Sequence, residues 1–209
     1  MDVMERRREL LAMQAELPVE YERVSGLHGY NWRDSWLVTD IKIGNNDYSV
    51  VADFKTNLSS TYKDFFLHGA EAPSNGYYYV SPYRDSTDGE LYFYPGKIKT
   101  GIYVNLNTDY RLRYTVRAMD GQVTGDLNGD LFSFSVSNYN TSDTGFLLFA
   151  KSKVSNWHFT GEYYRHKMMI GDDKYDLIPC VRKTDSVVGF FDVIHRKFHS
   201  DGNHISAVY

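Results

Sequence analysis

The stretch Tyr110-Arg111-Leu112-Arg113-Tyr114-Thr115-Val116-Arg117 decides the fold class. Tyr110, Leu112, Tyr114 and Val116 recur at every second position and arginines stand between them, the period of a strand whose side chains alternate between two faces. One face must enter a core and the other must meet water. Leu131-Phe132-Ser133-Phe134-Ser135-Val136 repeats the device with Phe132, Phe134 and Val136 inward. Asn128-Gly129 just before it signals a tight hairpin, because both residues tolerate positive φ.

The same reading predicts strands at 35–43, 48–55, 76–81, 90–94, 101–104, 145–151, 159–170, 175–181 and 187–192. Between several of them stand turn-forming groups: Gly44-Asn45-Asn46-Asp47, Asp88-Gly89, Asp120-Gly121, Gly171-Asp172-Asp173 and Asp201-Gly202. Such regular punctuation favours consecutive antiparallel strands over βαβ units. Aromatics form 16% of the 209 residues, led by 18 Tyr and 12 Phe, and suit pleated, half-buried surfaces. The length is that of one β-sandwich.

Residues 1–16 differ in kind. They contain no Gly, Pro or aromatic residue and are rich in helix formers. They predict a short α-helix ending before Leu17-Pro18, with Val3, Met4, Leu10, Leu11 and Met13 able to form an apolar side while Arg6-Arg7-Arg8 stay wet. The expected organisation is a docking leader at 1–16 and a sandwich domain at 17–209.

A net charge of −4 supplies no field for a phosphate backbone, so nucleic acid is not an expected partner. No apolar run reaches the roughly 20 residues of a membrane span, and the N-terminus lacks the apolar core of a secretory signal. Synthesis in a cytoplasm without a signal peptide, and no membrane insertion, are therefore expected. The single Cys180 has no partner for an intrachain disulfide and reads as a small buried hydrophobe.

Several segments carry a resemblance. Leu17-Pro18-Val19-Glu20-Tyr21-Glu22-Arg23-Val24 resembles the opening of a concanavalin A-like, laminin-G-like jelly-roll family of phage and gut-bacterial proteins. Gly145-Phe146-Leu147-Leu148-Phe149-Ala150-Lys151 resembles its penultimate core strand. Tyr175 to Asp185 carries a similar signature of an apolar pair, Pro179-Cys180, Arg182-Lys183 and Asp185, and Val187 to Asp192 with Lys197-Phe198-His199 is similar to its final hairpin. The Arg-rich leader is similar to those that precede this domain in phage virion proteins. After Val24 the chain departs from the family pattern, at Ser25 to Trp36. The resemblance implies an all-β, two-sheet antiparallel jelly-roll sandwich, and a virion-surface module that binds host glycan or decorates the capsid or tail. It also leaves room for calcium at a rim, for which Asp85, Asp88 and Glu90 are the candidate oxygens.

Catalysis is not expected. A glycoside hydrolase needs two carboxylates facing one cleft, and no Glu-x-Asp-x-Glu alternation occurs. Asp126-Leu127-Asn128-Gly129-Asp130 starts like a calcium loop, but Leu131 and Ser137 stand where that loop needs Gly and Glu, so a hairpin turn is the better reading. His195, His199 and His204 lie in a turn-rich tail without a nearby cysteine and read as solvated, so no cofactor is expected. Sugar faces stack on exposed rings while neighbouring polar groups bond the hydroxyls. On that ground the candidate ligand contacts are Trp32, Arg33, Asp34, Tyr83, Arg84, Asp85 and Tyr139. Expected partners are other virion proteins, met through the leader, a host-surface glycan, and copies of the chain itself, with a trimer favoured because linked weak sites gain avidity.

Overall fold

A computed structural model describes residues 17–30, 35–56, 65–70, 80–85, 88–94, 96–136, 145–150 and 158–209. All regular structure among them is β. The expected leader helix, with Val3, Met4, Leu10, Leu11 and Met13, lies outside the described residues.

One layer is an eleven-stranded antiparallel sheet. Its main path runs β12 (Asp130–Ser135), β11 (Gln122–Leu127), β10 (Asp109–Arg117), β4 (Tyr48–Thr56), β14 (Gly161–Ile170), β15 (Asp173–Arg182), β16 (Val187–Asp192), β17 (Lys197–His199). β1 (Tyr21–Arg23) pairs with β15, β2 (Gly26–Gly29) with β14, and β19 (Ile205–Val208) with β2. The facing layer holds two four-stranded sheets: β18 (Asp201–Asn203), β3 (Trp36–Val38), β13 (Phe146–Leu148), β6 (His68–Ala70), and β5 (Phe65–Phe66), β7 (Ser81–Arg84), β8 (Glu90–Tyr94), β9 (Ile98–Tyr103). A hydrogen bond from Leu67 N–H to Pro82 C=O joins these two.

The alternation on β10 does what the sequence implies. Tyr110, Leu112, Tyr114 and Val116 are buried against Phe54, Phe93 and Val123 in the core between the layers, while Arg113, Thr115 and Arg117 are exposed. The β11–β12 turn is the expected hairpin, with positive φ at Asn128 and Gly129. Gly125 lies opposite Phe132, where a Cβ would come within 2.7 Å of the ring, so the glycine lets that ring lie over the strand.

A bulge breaks the alternation on β14. Tyr163 pairs with Phe54 and Arg165 with Asp53, so Tyr164 is the extra residue. The phase change turns both Tyr163 and His166, three positions apart, into the core, each fully buried.

The Pro179-Cys180 signature is scaffold. β15 pairs with β14 up to Leu177 and with β1 from Cys180, so Pro179 falls in the gap between them. Its carbonyl accepts from Val24 N–H on that side, and there a missing N–H costs nothing. Cys180 packs with Leu17, Tyr21, Ile178 and Phe191, and burial pushes its thiol up to about 12. Asp185 accepts from Val187 N–H, closing the turn after β15.

Several strands escape the pattern. Only Trp36–Val38 of 35–43 is strand, and Trp36 is half-buried. Gln122–Leu127, not predicted, is a full strand. So are parts of the tail read as turn-rich, where β19 reaches β2 across the sequence.

Candidate functional site

Tyr83, Arg84 and Asp85 are not in an exposed loop, and the expectation that they form a ligand-facing cluster needs correction. Tyr83 and Arg84 belong to β7 and Asp85 follows it, with only 6%, 8% and 6% exposure. Tyr83 packs on Phe66 and Tyr92 with ring centroids 4.8 and 5.4 Å apart. Arg84 Nε donates to Val104 C=O at 2.8 Å, and Asp85 pairs with Lys97 at 2.9 Å. All three are occupied in holding β7 against its neighbours. Trp32, Arg33, Asp34 and Tyr139 lie outside the described residues. Tyr30, just before the Trp32 stretch, is 55% exposed and meets His204 edge to face.

The candidate calcium oxygens face lysines. Asp88 accepts from Glu90 N–H, Tyr92 Oη and Lys99 Nζ. Glu90 accepts from Gly101 N–H at 2.6 Å and lies 3.3 Å from Lys99. The backbone bond from Glu90 N–H, with Tyr92 and Lys99, holds the Asp88 carboxyl below its usual range. The tail histidines part company: His195 stacks on Tyr175 and contacts the buried Asp192 at 2.7 Å, whereas His199 is buried beside Asp40 at 3.1 Å. Among the described residues no group of three or more His, Cys, Asp or Glu is placed to hold a metal ion.

The outer face of the large sheet has a feature that the sequence reading did not single out. A shallow hollow of about 650 Å³ lies across β4, β10, β11 and β12. Its outward-facing lining is Ser49 and Val51 from β4, Arg113 and Thr115 from β10, Thr124 and Asp126 from β11, and Leu131 and Ser133 from β12. Strand register arranges these in two parallel rungs. One runs Ser49, Thr115, Thr124, Ser133, and the next runs Val51, Arg113, Asp126, Leu131. Directly opposed side chains on such rungs have Cβ atoms about 5 Å apart.

Cations nearby are already engaged. Arg111 grips Asp53 through Nε and Nη2 at 2.5 and 2.8 Å, Arg165 grips Asp176 at 2.8 and 2.5 Å, and Arg117 pairs with Asp120. Lys167 reaches Asp176 at 3.3 Å. The Arg113 guanidinium has no hydrogen bond or ion pair with any described residue, although Asp126 is its cross-strand neighbour. Asp126 Oδ1 accepts from Gly129 N–H at 3.0 Å, which turns that carboxylate toward the hairpin. Asp126 is the one carboxylate lining the hollow among the described residues.

The signal that could have located this hollow was present. Gln122-Val123-Thr124-Gly125-Asp126-Leu127 alternates as cleanly as β10, but Gly125 and the neighbouring turn residues disguise it as loop.

No family model matches the chain, and no curated protein matches it. Solved structures do share its fold. The native heptameric SAP-like pentraxin of Limulus polyphemus is similar at TM-score 0.58 and 14% identity, over 90% of this chain and 96% of that one. A structure described as a putative carbohydrate-binding protein of Bacteroides ovatus gives 0.52 and 11% over 90% of this chain and 61% of that one. Tailspike protein 2 of Escherichia coli O157:H7 bacteriophage CAB120 gives 0.50 and 11%, with 73% of this chain matching 25% of the tailspike. Sialidases occur among the matches as well. The shared property is the jelly-roll sandwich, which hosts both binding proteins and enzymes.

Proposed function

We propose that the protein is a non-enzymatic glycan-binding module displayed on a virion surface and engaging host-surface sugar. The observation that carries this reading is the hollow on the large sheet, which offers hydroxyl, guanidinium, carboxylate and apolar groups on rigid strands but a single carboxylate. Glycoside hydrolysis uses two, one on each side of the scissile bond. A polyhydroxylated ligand asks for donors and acceptors held side by side, which is what the two rungs present. The virion assignment is supported by the resemblance of the Arg-rich leader to those that precede this domain in phage virion proteins. A symmetric homo-oligomer, a trimer by preference, would multiply weak sites through effective concentration.

The test is a glycan array on the full chain, followed by incubation of bound oligosaccharide and analysis for cleaved products, with immunogold labelling of particles. Saturable binding without cleavage and labelling of the particle surface are the expected results. Cleavage would make the protein an enzyme, and binding by a chain absent from particles would remove the virion role.

A further inference from the structure

The geometry points to a neutral oligosaccharide as the ligand of this hollow, gripped by Arg113 and Asp126 acting together; the inference rests on the glycan-binding reading above. Arg113 and Asp126 are directly opposed across β10 and β11, yet no ion pair closes between them. Every other arginine named on this face has given its guanidinium to a carboxylate. Arg113 thus keeps its N–H donors for a ligand, while Asp126 keeps Oδ2 as an acceptor beside it. Two adjacent sugar hydroxyls match that pair, one accepting from the guanidinium and the other donating to the carboxylate.

The next rung extends the contact. The hydroxyls of Ser49, Thr115 and Thr124 make no hydrogen bond to any described residue, and each can donate as well as accept. Ser133 at the end of the rung already accepts from Gln122. Val51 and Leu131, the latter 82% exposed, flank the charged pair and offer apolar contact to C–H surface. Four strands at about 4.8 Å spacing make the rungs roughly 14 Å long, enough for a short oligosaccharide laid across the strands.

Charge decides the ligand class. Arg113 and Asp126 are cross-strand neighbours of opposite charge, Arg111 is paired with Asp53, and Arg165 and Lys167 share the single carboxylate of Asp176, so the one charge excess on this face lies on β14, outside the hollow. An anionic sugar would gain from Arg113 only by approaching Asp126, so the hollow favours uncharged sugars over sialylated or uronate-containing ones.

The experiment is an array carrying neutral, sialylated and uronate-containing glycans, then titration calorimetry with the strongest binder at low and high salt. Wild type, Arg113→Ala, Asp126→Asn and the double variant Thr115→Val/Thr124→Val are compared, with thermal melts confirming that each is folded. The expected result is a neutral binder whose affinity is insensitive to salt and falls by about tenfold or more in Arg113→Ala and Asp126→Asn, the loss of hydrogen bonds to charged groups. An acidic strongest binder, weakened by salt, would overturn the inference and leave glycan binding standing. Neutral binding unchanged in both single variants would move the site elsewhere and equally overturn it. No glycan bound at all would remove the functional reading itself.

Discussion

The two faces of the large sheet use similar polar groups under opposite conditions. On the outer face Arg111, Arg117 and Arg165 pair with carboxylates in contact with water. Between the layers, Tyr48, Tyr114 and Tyr163 of the large sheet lie with His166 and with His68 of β6. Tyr163 Oη donates to Leu67 C=O at 2.6 Å, Val80 N–H donates to Tyr48 Oη at 3.1 Å, and Tyr114 Oη donates to Val80 C=O at 3.2 Å. Tyr114 Oη also lies 2.5 Å from His68 Nε2, a hydrogen bond whose donor is set by the His68 tautomer. His68 Nδ1 and both ring nitrogens of His166 are buried without a hydrogen-bond partner among the described residues. The lesson is about the reference state: outside, a broken pair is replaced by water, while inside nothing replaces it.

Four measurements would break or sharpen that contrast. Phe146, fully buried, packs its ring 5.1 Å from His68 and 5.4 Å from His166. Phe146→Ala should cost about 3–5 kcal/mol in urea denaturation, the cavity range for a large aromatic.

Acid should act on the same place. Burial depresses His166 to about 3 and, with His166 nearby, holds His68 well below its ordinary value. Asp176 pulls His166 the other way without reversing the shift. Folded-state values lie below the unfolded value of 6.5, so the unfolded chain binds the extra protons. The contribution is complete above pH 6.5 and is lost as pH falls below it. The slope approaches about 1.4 kcal/mol per pH unit below 6.5, so His166 alone should remove roughly 1.6 kcal/mol between pH 6.5 and 5, and His68 adds a loss of the same sign. A urea series across that window checks this, and His166→Phe should flatten the slope, with His28 and His199, also lowered by burial, keeping part of it; an unchanged slope in that variant would place the acid sensitivity elsewhere.

Tyr114→Phe removes the oxygen that meets both His68 Nε2 and Val80 C=O, which should cost about 1–3 kcal/mol. On the outer face, Asp53→Asn breaks the Arg111 pair in water and should change stability by less than about 1 kcal/mol. An equal cost for these last two substitutions would dissolve the contrast between the faces.

The candidate site divides in the same way. Arg113 was legible as an outward residue from the alternation of β10, and the turn at Asn128-Gly129 was legible from its chemistry. That Arg113 meets Asp126 and lines a hollow depends on β11, which Gly125 concealed. Tyr83-Arg84-Asp85 looked like an exposed recognition loop because aromatic and charged residues in sequence do not say whether another strand covers them. Pairing of β7 with β5 and β8 does so.

What the sequence determined by itself is therefore the local pattern: period-two alternation, hairpin turns at residues tolerant of positive φ, and the buried, unreactive Cys180. These follow from interactions between near neighbours and from the two faces of a strand. The tertiary structure alone decided which strands lie side by side, how the bulge at Tyr164 turns both Tyr163 and His166 inward, and that Arg113, unlike Arg111, Arg117 and Arg165, makes no ion pair with any described residue. Those outcomes depend on partners tens of residues away, and one residue of register moves a side chain from core to solvent.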